Sequence, residues 1–243
     1  MARRGRKPVY RDVPCPSCGS NHVVKNGKIR GRQFYLCRKC GRKFVEGAKH
    51  HHDRSVRERA LRMYANGMSM RSPRVLQVPL GTVFTWIKRY GGRKYAKLVE
   101  LWRRARDELN EGVKVVDEMW TYFRRNAKAF YSWVFTGFVF SMKGMYVVFS
   151  VGDRSENTFQ ELAQYVPEKG TWVSDDYNVY FLLPEHRVVS PVNPNESFHS
   201  SLRDRLVRFK RATKAVNRSF DMMRYSVGLV LWERGLVPEF IPQ

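Results

Sequence analysis

The sequence predicts a multidomain α+β protein, and three observations predict it. Two Cys-x-x-Cys pairs, between Cys15 and Cys40, indicate a small metal-bound ribbon at the start of the chain. Apolar residues then recur at helical spacing over residues 55–111, and strand-like apolar runs begin at Val113. With 243 residues and 43% hydrophobic content, the chain is long and apolar enough to form a sizeable core. A disordered polycation is therefore excluded.

The net charge of +23 is distributed unevenly along the chain. Residues 1–111 carry 28 Lys and Arg against 8 Asp and Glu, whereas residues 112–243 carry 17 against 14. Within the second part, residues 203–224 have a net charge of +6 and are predicted to form one basic helix, so that the remainder is locally acidic. Charges sorted by segment in this way predict that the front section contacts nucleic acid.

Export and membrane insertion are not expected from this sequence. The basic N-terminal tail, residues 1–12, is not followed by the apolar segment of a signal peptide. The most apolar stretch, residues 130–151, is divided by Lys143 and Gly144 into pieces that suit buried strands better than a bilayer span of about 20 residues. We expect a soluble cytoplasmic protein in a reducing compartment, where the four cysteines bind metal or stay free.

Residues 13–47 are predicted to form a zinc ribbon. Each Cys pair is followed directly by a glycine, Gly19 or Gly41, which permits the positive φ of a tight knuckle. Residues 23–27 and 33–36 are predicted strands, with a basic hairpin tip between them. Four thiolates close the coordination shell, so the zinc is predicted to be structural. The predicted zinc ligands are Cys15, Cys18, Cys37 and Cys40, and the predicted DNA contacts at the tip are Lys28, Arg30 and Arg32.

Residues 54–90 are predicted to form a helix-turn-helix DNA-binding module. The first helix covers residues 55–65, the second begins at Ser69, and the recognition helix covers residues 81–89. A structural three-helix bundle is the alternative interpretation. The predicted DNA contacts of the recognition helix are Thr82, Thr85, Lys88 and Arg89.

Two prolines predict a distortion of this module, and two glycines predict where its last helix ends. Pro73 and Pro79 fit the second helix poorly, because a proline in a helix interior costs about 3 kcal/mol, so the module is predicted to be distorted. A charged connecting helix is predicted to follow Gly91 and Gly92, within residues 91–111.

Residues 112–230 are predicted to form an α/β domain, followed by a tail of residues 231–243. The predicted order is three strands, a helix, two strands and a long helix that begins at Asn193 and Pro194. This order is compatible with a ribonuclease H-like fold. The predicted strands cover residues 113–117, 131–140, 145–151, 171–174 and 187–190, and the first helix covers residues 155–166.

Three acidic residues of this domain are placed where they can converge on metal ions. Asp117 closes the first strand, Asp175 follows the fourth strand, and Glu196 lies in the first turn of the long helix. Mg²⁺ and Mn²⁺ prefer carboxylate oxygens, and two such ions can activate an attacking oxygen and stabilise a leaving one. Acids at strand ends are common, however, and Asp176 competes with Asp175 for the second position. The predicted phosphate contacts nearby are Arg203, two helical turns beyond Glu196, with Lys210 and Arg211.

Several of these motifs, in this order along the chain, resemble those of one protein family. They are the Cys-x-x-Cys pairs, the segments at residues 83–88 and 173–180, the Asp-Glu-x-Trp motif that begins at Asp117, and the Glu-x6-Arg spacing from Glu196 to Arg203. Together they resemble the transposases of the insertion sequence one family, over nearly the whole chain.

The resemblance implies an Asp-Asp-Glu transposase with a ribonuclease H-like catalytic domain, which nicks and joins double-stranded DNA with Mg²⁺ or Mn²⁺. By position, it implies that Asp117, Asp175 and Glu196 are the catalytic acids and that Arg203 is the basic residue that follows them. It also implies a nucleoid-associated protein that is at least dimeric, because two element ends must be held together. Residues 72–79 depart from the family's regular helix and Gly-containing turn.

Two other functional classes stay open at this point. A non-enzymatic zinc-ribbon and helix-turn-helix regulator, or an inactive transposase remnant, needs no convergence of the three acids. A tyrosine recombinase would use Tyr225 with Arg203 and His199, although the His-x-x-x-Arg spacing is one residue longer than that family's His-x-x-Arg.

Overall fold

A computed structural model gives a mixed α+β protein with two sheets. The described residues are 9–10, 13–29, 31–45, 52–125, 128–181, 183–190, 192–210 and 216–242. The chain divides into two units, Met1–Asp53 and Arg54–Gln243. No helix in the described part of the chain combines the length and the apolar composition of a transmembrane span.

The first unit is an antiparallel sheet of order β1-β2-β3-β4. Its strands are β1 (Val9–Tyr10), β2 (Val23–Ile29), β3 (Arg32–Cys37) and β4 (Lys43–Val45). Both predicted strands are confirmed, with β2 and β3 extending slightly beyond the predicted bounds. β1 lies within the segment predicted as a basic tail, because Val9 and Tyr10 pair with the buried Val24 and Val23. The other residues of that segment lie outside the described part of the chain.

The second unit contains a five-stranded sheet of order β7-β6-β5-β8-β9. Strands β5, β6 and β7 form an antiparallel meander, whereas β8 is parallel to both β5 and β9. The predicted order of three strands, helix, two strands and helix is confirmed. The prediction that Asp117 closes the first strand is wrong, because β5 continues to Arg125 and Asp117 lies inside it. The elements are α1 (Arg54–Ala65), α2 (Leu80–Trp86), α3 (Gly92–Glu108), β5 (Val113–Arg125), β6 (Lys128–Ser141), β7 (Gly144–Gly152), α4 (Glu156–Ala163), β8 (Trp172–Ser174), β9 (His186–Val188), α5 (Asn193–Arg205) and α6 (Phe220–Glu233), with 3₁₀ turns at Ser72–Leu76, Asn178–Tyr180 and Val207–Phe209 and a π-helical turn at Ile87–Gly91.

The two faces of this sheet are covered by different helices. Cross-strand partners share a face, so Asp117 and its partner Thr136 lie on one face, and Glu118 and its partner Phe135 lie on the other. α5 packs on the face of Asp117, which we call the α5 face. α4 packs on the face of Glu118, where the ring of Phe159 lies 6.2 Å from that of Phe135, and we call this the α4 face.

The middle of the predicted helix-turn-helix is distorted, as its prolines indicate. α1 is confirmed, but the second helix is reduced to the 3₁₀ turn at Ser72–Leu76, in which Pro73 occupies the first turn. This turn ends at Gln77, which adopts a left-handed φ of 57°. Pro79 then provides the N-cap of α2. Since proline has no N–H to donate, a regular helix cannot run through either position.

The prediction of separate recognition and connecting helices is wrong. α2, the π-helical turn and α3 form one continuous helical segment, in which Gly91 and Gly92 have helical dihedral angles. A Cβ atom at Gly91 or Gly92 would lie 3.1 or 3.2 Å from atoms of Tyr225 in α6. The two glycines therefore permit α6 to pack closely, and they do not end a helix.

The prediction of one basic helix over residues 203–224 is also wrong. α5 ends at Arg205, because Leu206 is extended and turns inward with Phe209, and α6 begins only at Phe220. α6 is mostly apolar and packs against α3 and β7. The C-terminal segment beyond α6 packs as well, since Val237 and Ile241 are buried. The predicted domain boundaries at residues 90, 111 and 230 stay predictions.

Candidate functional site

The first two predicted acids lie at adjacent positions of parallel strands. Val115 of β5 pairs with Val173 of β8, and Asp117 and Asp175 each follow two residues later. Because the strands are parallel, this register brings both carboxylates to the end of β8, where ligands of open α/β sheets commonly bind.

The charges of three other acids act on Asp117. Burial, together with the charges of Glu118, Asp175 and Glu196, raises the pKa of Asp117 from its ordinary value of 3.8 to about 7, even though the backbone N–H of Glu118 donates a hydrogen bond to Asp117. Asp175 is half-buried, whereas its neighbour Asp176 is exposed. The structure thus brings the three predicted acids within electrostatic reach of one another, and raised pKa values of this kind are frequent at functional sites.

A buried hydrogen-bond network fixes α5 beside Asp117. Asn195 Nδ2 donates to the backbone oxygen of Thr136 at 2.8 Å and to its hydroxyl at 3.0 Å. His199 Nε2 lies 2.7 Å from the same hydroxyl, and His199 Nδ1 lies 3.5 Å from Asp117 Oδ2. Burial lowers the pKa of His199 to about 3, so the imidazole is neutral at pH 7. This network determines where Glu196, the neighbour of Asn195, lies along the sheet.

Glu118 lies on the α4 face and is neutralised there by an arginine. Its side chain is only 2% exposed, and its Oε1 accepts a hydrogen bond of 3.0 Å from Arg154 Nε. The hydroxyl of Tyr180 donates to Glu118 Oε2 at 2.6 Å. Tyr177 connects this cluster to the second acid, since its hydroxyl donates to the backbone oxygen of Arg154 and its N–H donates to Asp175 Oδ1. Sequence reasoning missed this cluster, because no spacing relates Arg154 to the other residues.

The three predicted acids are close without forming a closed cation cage. In the described part of the chain, the four cysteines are the only group of three or more His, Cys, Asp and Glu side chains whose ligand atoms lie close enough together to hold one metal ion. The chemistry of the acids nevertheless fits Mg²⁺ or Mn²⁺, because their oxygens are hard ligands and their mutual repulsion would be relieved by a divalent cation.

The four cysteine thiols form the second site, in the first unit. Their sulfur atoms lie within 4.8 Å of one another, with Cys15 and Cys40 at 3.6 Å and Cys18 and Cys37 at 3.7 Å. A tetrahedral zinc ion with Zn–S bonds of about 2.3 Å requires sulfur atoms about 3.8 Å apart, so the cluster fits zinc.

The backbone of the knuckles prepares these thiols for metal binding. Burial acts to raise the pKa of the Cys37 thiol, but hydrogen bonds from the N–H groups of Cys40 and Lys39 outweigh it and lower that pKa to about 6. The predicted positive φ values are confirmed at Gly19, 67°, and at Gly41, 72°. The pKa of Cys15 is lowered as well, whereas burial and the three neighbouring thiols raise the pKa of Cys40 to about 12. One thiol of each knuckle thus favours the thiolate form that binds metal.

The predicted DNA-contacting residues lie largely at the protein surface. In the first unit Lys28 and Arg32 are exposed, and in the second unit Thr85, Lys88, Arg89 and Lys210 are exposed and Thr82 is half-buried. Arg30 and Arg211 lie outside the described residues. Arg203 is half-buried on α5, where its charge contributes to the lowered pKa of His199. Arg203 is thus on the helix face that approaches Asp117.

Two residues that a tyrosine recombinase would use, His199 and Tyr225, have structural contacts in this fold. His199 contacts Thr136 and Asp117, as described above. Tyr225 is half-buried, packs against Gly91 and Gly92, and its ring lies 6.2 Å from that of Tyr95. These contacts account for both residues without a role for Tyr225 as nucleophile.

Comparison with known proteins adds no further information on the site. No model of a known protein family matches the chain, and no curated protein matches it either. The functional conclusion therefore depends on the residues and their geometry.

Proposed function

We propose that this chain is an Asp-Asp-Glu transposase of the insertion sequence one type, with a ribonuclease H-like catalytic domain. The observation that carries the proposal is the convergence of Asp117, Asp175 and Glu196, which lie far apart in sequence. Burial raises the pKa of Asp117, and the charges of Asp175 and Glu196 add to that effect. Raised carboxylate pKa values of this kind cluster at functional sites.

The proposed reaction has two steps on DNA. A water oxygen attacks a phosphodiester at the element's end, and the bond to the 3′ oxygen breaks to release a 3′-hydroxyl. That hydroxyl then attacks a phosphodiester of the target DNA, and a target 3′ oxygen leaves. Asp117, Asp175 and Glu196 would hold Mg²⁺ or Mn²⁺, which supplies Lewis-acid activation of the phosphate when bound. Arg203 is positioned to hold a DNA phosphate near these acids.

The basic section supplies the proposed recognition of the terminal inverted repeats. The exposed Lys28 and Arg32 of the ribbon and the exposed Lys88 and Arg89 after α2 provide cations for the DNA backbone. We propose that the protein acts as at least a dimer on two DNA ends, and that it works at the nucleoid in the cytoplasm.

Substitution of Glu196 tests the proposed function. Glu196→Gln keeps the size of the side chain but removes its charge, so strand transfer with Mg²⁺ is expected to fall at least about 1000-fold, while binding to the terminal repeats is retained. The assay uses purified full-length protein, labelled DNA that carries the repeats, and a plasmid target. Glu156→Gln is the matched control, since Glu156 is an exposed acid in the first turn of α4, and it is expected to leave strand transfer unchanged.

Full strand transfer by Glu196→Gln would contradict the metal mechanism. If the unmodified protein bound the repeats but produced no metal-dependent cleavage, the non-enzymatic regulator would be the better description.

Substitution of Tyr225 separates the proposal from the recombinase hypothesis. Tyr225→Phe is expected to leave strand transfer within about 2-fold of the unmodified protein, because the packing against Gly91 and Gly92 needs no hydroxyl. Denaturing gels of reactions with labelled DNA measure both transfer and any protein–DNA adduct. A covalent adduct that disappears in Tyr225→Phe would revive the recombinase hypothesis.

A further inference from the structure

Four aromatic side chains form a row on the α4 face of the β5–β6 hairpin. The cross-strand register pairs Trp120 with Trp133 and Tyr122 with Tyr131, which places all four rings on one face. The ring of Trp120 lies 5.3 Å from that of Tyr122 and 5.1 Å from that of Tyr131, and Tyr122 and Tyr131 are 5.7 Å apart. We call these four residues the aromatic ladder.

The aromatic ladder is accessible to solvent, unlike the rest of this face. Towards the other end of the strands, α4 covers the face, and Phe135 is 1% exposed. On the ladder, Tyr131 is 58% exposed, and Trp120, Tyr122 and Trp133 are half-buried. Since large aromatic rings normally gain free energy from burial, a row of accessible rings indicates a binding surface.

Cations are placed at both ends of the aromatic ladder. At one end the guanidinium of Arg154 lies 4.5 Å from the ring centre of Trp133, and its side chain is 42% exposed. At the other end Arg124 follows Tyr122 on the same face and is exposed. The nearest acid on this face of β5, Glu118, is already paired with Arg154. The pair of Arg154 and Glu118 is neutral overall, so the net positive charge beside the ladder comes from Arg124, and the surface suits a partner that is both aromatic and anionic.

The aromatic ladder lies farther along β5 than the proposed catalytic acids and on the opposite face of the sheet. Trp120 is three residues beyond Asp117, about 10 Å at the rise of a β-strand, but Asp117 lies on the α5 face. Arg154 also connects the two sites, because Tyr177 binds both Arg154 and Asp175. A DNA strand at Asp117 would have to pass around an edge of the sheet to place its bases on the ladder, so the ladder is a separate binding surface.

We propose that the aromatic ladder binds unpaired bases of a DNA strand by stacking, on the face of the sheet opposite Asp117. Bases in a duplex already stack on one another, so an external ring can stack only on bases that have left the duplex. The choice of DNA over RNA rests on the proposed function, whereas the binding of unpaired bases rests on the ladder alone.

Two single strands of equal charge test this proposal. One is a fluorescein-labelled thymidine oligonucleotide of about 15 nucleotides, and the other is an abasic strand with the same number of phosphates. Fluorescence anisotropy with full-length zinc-bound protein, in buffer without Mg²⁺ or Mn²⁺, is expected to show at least about 10-fold tighter binding of the thymidine strand. Because both strands contact the basic surfaces equally, this ratio measures base stacking alone.

Substitutions in the aromatic ladder test whether the preference for the thymidine strand arises at these rings. Tyr131→Ala is expected to remove most of the preference for the thymidine strand, and Tyr131→Phe is expected to retain it, since stacking needs the ring and not the hydroxyl. Phe140→Ala is the matched control, because Phe140 is 38% exposed but lies at the far end of β6 and on the α5 face. This control is expected to leave the ratio unchanged.

Two outcomes would overturn the proposal. Equal binding of the two strands, or an unchanged ratio in Tyr131→Ala, would show that the ladder does not stack on bases. Conversion of a dimer to a monomer by Tyr131→Ala in sedimentation, with no change of the ratio, would assign the ladder to contact with a second copy. The measurement is made without Mg²⁺ or Mn²⁺, so a failure of strand transfer leaves its result unaffected.

Discussion

Asp117→Asn is expected to abolish strand transfer and, at the same time, to stabilise the protein that holds no Mg²⁺ or Mn²⁺. The lost activity follows from the proposed role of Asp117 as the first metal-binding acid. The gain in stability follows from the pKa of about 7 that burial and the charges of Glu118, Asp175 and Glu196 give to Asp117. At pH 8 the Asp117 carboxylate of the folded protein is ionised, although burial and the neighbouring acids disfavour its charged form.

The pH dependence of this effect has a definite sign. Between pH 4 and 7 the folded state retains a proton on Asp117 that the unfolded state releases, so the free energy of unfolding falls as the pH rises through this window. Asn carries no charge, and Asp117→Asn is therefore expected to unfold with a free energy higher by about 2 to 4 kcal/mol at pH 8 and by almost nothing at pH 4. Urea denaturation of both zinc-bound proteins, without added Mg²⁺ or Mn²⁺, at the two pH values measures the difference.

Asp176→Asn is the control for this prediction. Asp176 is the exposed neighbour of Asp175, so its substitution is expected to change neither the stability nor strand transfer. Equal stability of the unmodified protein and Asp117→Asn at pH 8 would mean that burial and the neighbouring acids do not raise the pKa of Asp117.

Cys37→Ser is expected to remove the bound metal and to unfold the first unit. The Cys37 thiol is fully buried among the four sulfur atoms, and the core around it contains few apolar residues, chiefly Val23, Tyr35 and Phe44. So small a core supplies little stability by itself, whereas a structural zinc ion contributes on the order of 10 kcal/mol or more to folding.

Zinc content and proteolysis measure this prediction on the full-length chain. The unmodified protein is expected to release one zinc ion per chain, and Cys37→Ser none. Trypsin cleaves after Lys and Arg, so limited digestion of Cys37→Ser is expected to degrade the first unit up to Lys49 or Arg54 and to leave the rest of the second unit intact. His22→Ala is the control, since His22 is exposed next to the knuckles and is expected to retain its zinc. Unchanged zinc content in Cys37→Ser would rule out the four-thiolate site.

The features that the sequence predicts well are those with a local signal. The knuckle glycines follow their cysteines directly, and the two aspartates each end a recognisable apolar run, so both could be located without a structure. Glu196 could be located because Asn193 and Pro194 indicate the start of a helix.

The features that the sequence does not predict depend on contacts between distant segments. Gly91 and Gly92 suggest a break in the helix, and only the approach of Tyr225 explains why they are there. Thr136 becomes part of the site because the β5–β6 register places it opposite Asp117. The amino-acid composition of two strands does not determine which residues pair across them. The basic stretch after Arg203 contains no pattern that distinguishes one helix from two.

The continuous helix of α2 and α3 sets a fixed length within the second unit. From Leu80 to Glu108 it extends for about 43 Å at the rise of an α-helix, and its α3 end is buried against α6. In the proposed transposase, this rigid helix fixes the position of the recognition residues relative to the carboxylates. The fold therefore sets the distance between the bases that are recognised and the phosphate that is cleaved. One residue inserted into α3 would turn the recognition surface by about 100° and shift it by about 1.5 Å.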